Sequence, residues 1–163
     1  VVDTVLRAES GASLMAPGGE EAIVRQLLPR ASVITPNLME AQVLAGMPVD
    51  DPARLAATLH ERHGCAVIVT GGHGASASDL LHDEDGPLEI PGERLPVPTT
   101  HGAGCTHSST LAALLAAGTP LREAAAGAKR AATAAVAAGL PFGRGAGPVD
   151  ITRSREAGTW TRG

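Results

Sequence analysis

Aromatic side chains are nearly absent. Phe142 and Trp160 are the only two, and there is no tyrosine. The core must therefore be built from Leu, Val, Ile and Ala. Nucleic-acid surfaces use stacking rings and a basic stripe, and this chain offers neither. Its 13 Lys and Arg stand against 17 Asp and Glu, a formal charge of −4. No apolar run approaches the about 18 residues that span a membrane, and no signal-peptide pattern opens the chain. Cysteine is scarce as well. Cys65 and Cys105 are the whole complement, too few for a disulfide framework, so a reducing cytoplasm is the expected compartment. What is present is 163 residues that are 44% hydrophobic, enough for one globular domain with a core.

The chain opens on Val-Val-Asp, not Met, and runs straight into strand-like residues. It reads as the interior of a longer protein, with an upstream part expected to be missing. "VVDTVL" (1–6) is expected to be a buried strand and "SGASLMAPGG" (10–19) a loop. "EEAIVRQLLP" (20–29) places Ile23, Val24, Leu27 and Leu28 at helical spacing. "SVITPN" (32–37) is a β-branched strand stopped by Pro36. "LMEAQVLAG" (38–46) is a helix closed by Gly46. "DDPARLAATLHERHG" (50–64) has an Asp cap, an early proline and a terminal glycine. "CAVIVTGG" (65–72) is a buried strand. "ASDLLHD" (77–83) and "PLEIPGERLPV" (87–97) are strands joined by the "DEDG" turn. Two Ala-rich helices, 103–118 and 120–139, pack closely. The segment 140–150 is a loop, and 151–163 is a polar tail. Strands alternating with helices argue a parallel sheet covered by helices. In such sheets ligands bind beyond the carboxyl ends of the strands, where Asp3, Asn37 and Thr70 to His73 fall.

"TTHGAGCTHSS" (99–109) carries the sharpest chemical signal. N–H groups at a helix start are unpaired and the helix dipole favours negative charge there. Glycines allow close approach of a ligand to the backbone. Gly102, Ala103 and Gly104 thus make a candidate anion hole. A thiol in that field has a lowered pKa and can act as base or nucleophile. Cys105 is either that group or a small residue filling a helix start. No Gly-Lys-Ser/Thr follows, so this is not a Walker A loop. Asn37 and Glu40 form a capping box in "TPNLMEA", and their oxygens also suit a magnesium-bound water. Asp3 either joins that metal site or ends a strand. "TGGHG" (70–74) is a phosphate loop or a tight turn. His60 and His63 share a helix face without further ligands, and Cys65 reads as core. Lys129 reaches a nucleotide or lies on a solvated face.

Together "VVD", "ESG", "VITPNLMEAQVLAG", "VIVTGGHG" and "THGAGCTHSSTLAALLAAG" resemble the hydroxymethylpyrimidine/phosphomethylpyrimidine kinases of thiamine biosynthesis, in the ribokinase-like superfamily. The resemblance runs from about residue 1 to "GAGPV" near 149. Cysteine after the glycine turn is its most specific element, because most sugar kinases of the superfamily carry Asp there. It implies a three-layer α/β/α fold with a mostly parallel central sheet. Residues 1–150 would be the C-terminal part of a kinase domain, followed by the tail 151–163.

The resemblance also implies ATP and Mg2+ as cofactors and a small-molecule pyrimidine as substrate. No nucleic acid or membrane partner is expected, and a homodimer stays open. Cys105 would be catalytic. Gly102, Ala103 and Gly104 would receive the γ-phosphate. Thr70, Gly72 and Lys129 would bind nucleotide, and Asp3, Asn37 and Glu40 would serve the metal. Two residues depart from the family pattern: Thr4 stands where proline is usual, and Thr70 where lysine is frequent. The N-terminal part of the family, which builds most of the pyrimidine pocket, has no counterpart in these residues. The isolated chain is therefore expected to be inactive or barely active. Rival readings are a pyridoxal kinase of the same branch and a non-catalytic nucleotide- or pyrimidine-binding module.

Overall fold

The computed structural model describes residues 1–8, 12–71 and 77–153. The chain divides into two compact units, Val1–Pro91 and Gly92–Gly163.

The first unit is built on a four-stranded sheet, β1 (Val33–Ile34), β2 (Ala66–Val69), β3 (Asp79–Asp83) and β4 (Gly86–Ile90), in that spatial order. β1 and β2 are parallel, with Ile34 opposite Val67. β3 and β4 continue antiparallel. Among the described residues the sheet is therefore mixed and not mostly parallel. The cause is local: Asp83 pairs with Gly86, so the "DEDG" turn closes a hairpin, and hairpins are antiparallel. All four residues of β2 are buried, as its continuous apolar run requires. β4 stops at Ile90 instead of reaching residue 97, and Pro91, with no N–H to donate, follows it.

Residues 1–6 form less strand than expected. Val2 makes a single parallel bridge to Ile34. Its N–H donates to Val33 O (3.0 Å) and its carbonyl accepts from Thr35 N (3.2 Å). Odd-numbered residues of the β1 segment thus face Val2, and the next N–H in line is that of Asn37. That N–H goes instead to Glu40 Oε2 (3.0 Å). The ladder ends because the following helix takes its donor.

The 20–29 segment also departs from a regular helix. A short α1 (Gly19–Ala22) widens into a π-helical turn over Ile23–Leu27, then tightens into a 3₁₀ turn over Leu28–Arg30. Leu28 N–H donates to Ile23 O, five residues back. Ile23 and Leu28 are consequently the buried pair, while Leu27 is 47% exposed. Pro29 lacks the N–H that a regular turn would need there.

Helices α2 (Leu38–Ala45) and α3 (Pro52–His63) match their local signals. Asn37 caps α2 and Gly46 ends it at φ 63°. Asp51 accepts from Arg54 N, Pro52 opens α3 and Gly64 ends it at φ 70°. Arg62 Nη1 donates to Ala45 O (2.7 Å), tying α3 to the end of α2. The core joins Leu6, Ile23 and Leu28 to Ala41 and Leu44 of α2, Leu55 and Leu59 of α3, and Ile34, Val67 and Val69 of the sheet.

The second unit is a helical hairpin, α4 (Ala103–Ala116) and α5 (Leu121–Ala137). The buried face of α5 is Ala124, Ala125, Gly127, Ala128, Ala131, Ala132 and Ala135. With side chains this small, the helices approach closely. A Cβ on Gly127 would lie 2.8 Å from Leu114 Cδ1. After α5 the chain returns along residues 98–101, with His101 and Pro148 in a parallel bridge.

Candidate active site

In the first unit, three neighbouring parallel segments end at one edge of the sheet. Asp3 follows Val2, Asn37 follows β1, and Thr70 follows β2. Val2 lies beside Ile34, Ile34 beside Val67, and Asn37 forms a parallel bridge with Thr70. Thr70 N–H donates to Pro36 O (2.9 Å). The carboxyl-end rule thus gathers these residues as expected.

Glu40 is 8% exposed. Its Oε2 accepts from Asn37 N (3.0 Å), and Asn37 Oδ1 accepts from Glu40 N (3.0 Å), a complete capping box. Its Oε1 accepts from Leu6 N (3.4 Å). The carboxylate therefore stands in for the interrupted ladder and holds residues 1–6 against the start of α2. Magnesium takes oxygen ligands and usually keeps several waters. Among the described residues, no three His, Cys, Asp or Glu side chains are grouped to hold a metal. Asp3, Asn37 and Glu40 offer oxygen donors of the type magnesium takes, directly or through water.

Sequence reasoning overlooked Asp79. It sits at the first position of β3 with 0% exposure, and its Oδ1 accepts from Gly71 N (2.9 Å). A Cβ on Gly71 would fall 2.0 Å from Ser78 O. The signal was not local: the partners are eight residues apart and the Asp read as an ordinary strand residue. Gly72, expected to bind nucleotide, lies outside the described residues.

In the second unit, Gly102 is the N-cap of α4 at φ 90°, and no side chain caps the helix. Only glycine adopts that backbone cheaply. Ala103 N–H turns back to Thr100 O (3.1 Å), while Gly104 and Cys105 are exposed at the helix start. Thr106 Oγ1 donates to Gly102 O (2.8 Å) and Ser108 Oγ to Gly104 O (3.0 Å), which fixes the first turn from behind. The loop is held from the other side too. His101 N donates to Gly147 O (3.1 Å), Val149 N to His101 O (3.0 Å) and Gly147 N to Pro98 O (3.1 Å). Buried Thr99 Oγ1 donates to Val136 O (3.1 Å). These hydroxyls and the "GAGPV" strip were not singled out as loop supports in the sequence, because their partners lie up to 37 residues away. Lys129 is half-buried on α5.

The two thiols differ sharply. Cys65 is 2% exposed and burial pushes its thiol pKa up, whereas Cys105 is exposed. Only a thiolate alkylates. Iodoacetamide at neutral pH is therefore expected to modify Cys105 alone in the folded protein and both cysteines in denaturant. Peptide mapping that finds Cys65 labelled first would contradict this.

The phosphomethylpyrimidine kinase family profile matches residues 1–150. This chain belongs to that family. Among its relatives, the hydroxymethylpyrimidine/phosphomethylpyrimidine kinase of Rhizobium meliloti is 41% identical over 157 residues, covering 91% of this chain and 59% of the relative. The ADP complex of Bacillus subtilis pyridoxal kinase superposes with a TM-score of 0.81 at 35% identity, over 94% of this chain and 60% of the other. Staphylococcus aureus pyridoxal kinase in complex with AMP-PCP gives a TM-score of 0.84 at 30% identity, over 94% and 58%. The fold is thus the ribokinase-like α/β fold of these kinases, and the chain spans between 58% and 60% of their length. Thr4 is fully buried and its hydroxyl has no hydrogen-bond partner among the described residues, a cost that an apolar residue there would avoid.

Proposed function

We propose that this chain carries the nucleotide-binding and phosphoryl-transfer part of an ATP-dependent kinase. The substrates are 4-amino-5-hydroxymethyl-2-methylpyrimidine and its monophosphate, in thiamine biosynthesis. Beyond the family match, the observation that carries the reading is the start of α4: a glycine N-cap with no side-chain cap, and an exposed thiol in its first turn.

In this reading, Cys105 takes the proton of the substrate hydroxymethyl group as its oxygen attacks the γ-phosphorus. The bond from that phosphorus to the β-bridging oxygen breaks, and ADP leaves with the electron pair. The helix start at Gly102, Ala103 and Gly104 receives the developing charge on the γ-phosphate, positioned before the reaction begins, with Ala103 N–H held on Thr100 O as part of the turn and not aimed at the phosphate. Thr106, Ser108 and the 147–149 strip keep that start in place. Thr70, Gly72 and Lys129 bind the nucleotide. Asp3, Asn37 and Glu40 would hold magnesium, directly or through water, and it would supply charge neutralisation at the phosphates. Residues 1–150 form the catalytic part and 151–163 a tail outside it. The two reduced cysteines fit a cytoplasmic location.

A substrate panel tests the proposal. Radiolabelled phosphate from ATP is expected on hydroxymethylpyrimidine and on its monophosphate in the gene product that carries this chain. Transfer to pyridoxal in preference would assign it to the sister activity, which the similarity to pyridoxal kinase structures keeps in view. Nucleotide binding with no transfer to any alcohol would favour a non-catalytic module.

A further inference from the structure

We infer that Thr99 is a positioning residue for phosphoryl transfer: seated between the end of α5 and the glycines at 139 and 147, it sets where the start of α4 stands. The inference rests on the phosphate role proposed above for that helix start.

The segment leading into α4 is held at each of its residues. Pro98 O accepts from Gly147 N (3.1 Å), His101 N donates to Gly147 O (3.1 Å) and His101 O accepts from Val149 N (3.0 Å). Thr100 O accepts from Ala103 N (3.1 Å), and Gly102 O from Thr106 N (2.9 Å). These bonds fix the segment to the 147–149 strip and within its own turn. Thr99 adds a link to α5 through its side chain. It is 3% exposed, and its Oγ1 donates to Val136 O (3.1 Å), in the last turn of that helix.

Carbonyls in the last turn of a helix lack partners within it, so Thr99 could serve only to satisfy one. Val136 O, however, already accepts from Gly139 N (3.1 Å). The hydroxyl is a second donor to that oxygen, and it fixes a position more than it satisfies a helix end. The surroundings enforce the same position. A Cβ on Gly139 would collide with Thr99 Cβ and Oγ1, and one on Gly147 would press on its Cγ2 at 3.0 Å. Thr99 thus fits a slot that two glycines leave open, and interiors packed this closely transmit displacement. Gly102 follows three residues later, beyond the fixed backbones of Thr100 and His101. The depth of Thr99 in its slot is therefore carried to the N-cap of α4. A helix start that receives charge must be in place before the reaction, and a misplacement of about 1 Å can cost about 10²-fold in rate.

The test compares wild type, Thr99→Val and Thr99→Ser in the gene product that carries this chain. Val keeps the shape and removes the donor, whereas Ser keeps the donor and removes the methyl group. In Thr99→Val, kcat for transfer to hydroxymethylpyrimidine is expected to fall about threefold to thirtyfold, with the pyrimidine KM within about twofold. Thr99→Ser should recover the rate to within about threefold of wild type. The amide NMR signals of Gly102, Gly104 and Cys105 should move in Thr99→Val and stay in Thr99→Ser. A residue that only finishes α5 would lower the urea midpoint in Thr99→Val and leave kcat and those amides unchanged. That result overturns the inference, and so do equal losses of rate in the two variants. If wild type transfers no phosphate, the kinase reading fails and the amide signals decide the placement. Moved signals in Thr99→Val then uphold it, and unmoved ones overturn it.

Discussion

Cys105→Ala is expected to lower the rate of phosphoryl transfer by about 10²–10⁴-fold, the range for loss of a positioned general base. AMP-PCP affinity should change little, because in the proposed mechanism the thiol meets the substrate alcohol while the helix start meets the phosphate. The argument is geometric. Cys105 is exposed in the first turn of α4, and that turn is fixed by Thr106 on Gly102 and Ser108 on Gly104. Removing the sulfur leaves those bonds in place, so a fall in kcat without a matching rise in the nucleotide KM is the signature. Cys105→Ser should not restore activity, since a hydroxyl ionises far less readily than a thiol. Full activity in Cys105→Ala would remove the cysteine from the mechanism.

The second large effect is on stability. Gly71→Ala places a methyl group 2.0 Å from a backbone oxygen. A clashing side chain can rotate away, but Ser78 O belongs to the chain entering β3 and cannot. Either β3 shifts or the Asp79 bond to Gly71 N breaks. Overpacking costs about 1–3 kcal/mol and occasionally more, and losing the Asp79 bond to Gly71 N adds to it. A loss of about 3 kcal/mol or more, read as a lower urea midpoint at unchanged slope, is the expected outcome. A midpoint within error of wild type would show that the close approach is not kept in solution.

Much of the architecture was legible because its signals are local. Asn37 with Glu40 and Gly46 bracket α2, and Asp51, Pro52 and Gly64 bracket α3. Each is a short-range choice of residue for a backbone conformation. The α/β class and the gathering of Asp3, Asn37 and Thr70 followed from element order.

What escaped is non-local. Glu40 was readable as a cap, but its bond to Leu6, 34 residues away, was not. Its other bond, from Asn37 N, ends the "VVDTVL" ladder after one bridge. The π-helical turn escaped because Ile23 and Leu28 are five apart, a spacing no helical periodicity proposes. Asp79 and Thr99 look unremarkable in sequence, and their importance appears only when their burial and partners are known.

The buried face of α5 has a thermodynamic consequence. Alanine and glycine have no rotamers to freeze, so burying Ala124, Ala125, Gly127, Ala128, Ala131, Ala132 and Ala135 costs about 0 kcal/mol of side-chain conformational entropy. A leucine face would bury more apolar area but would surrender rotamer freedom at every contact. The α4–α5 hairpin instead sets a nearly smooth α5 face against α4, across a short link. Its stability comes from backbone proximity and dispersion at short range. Enlargement at Gly127 meets Leu114 Cδ1 at 2.8 Å, so an added methyl group there is accommodated only as far as that leucine can turn aside.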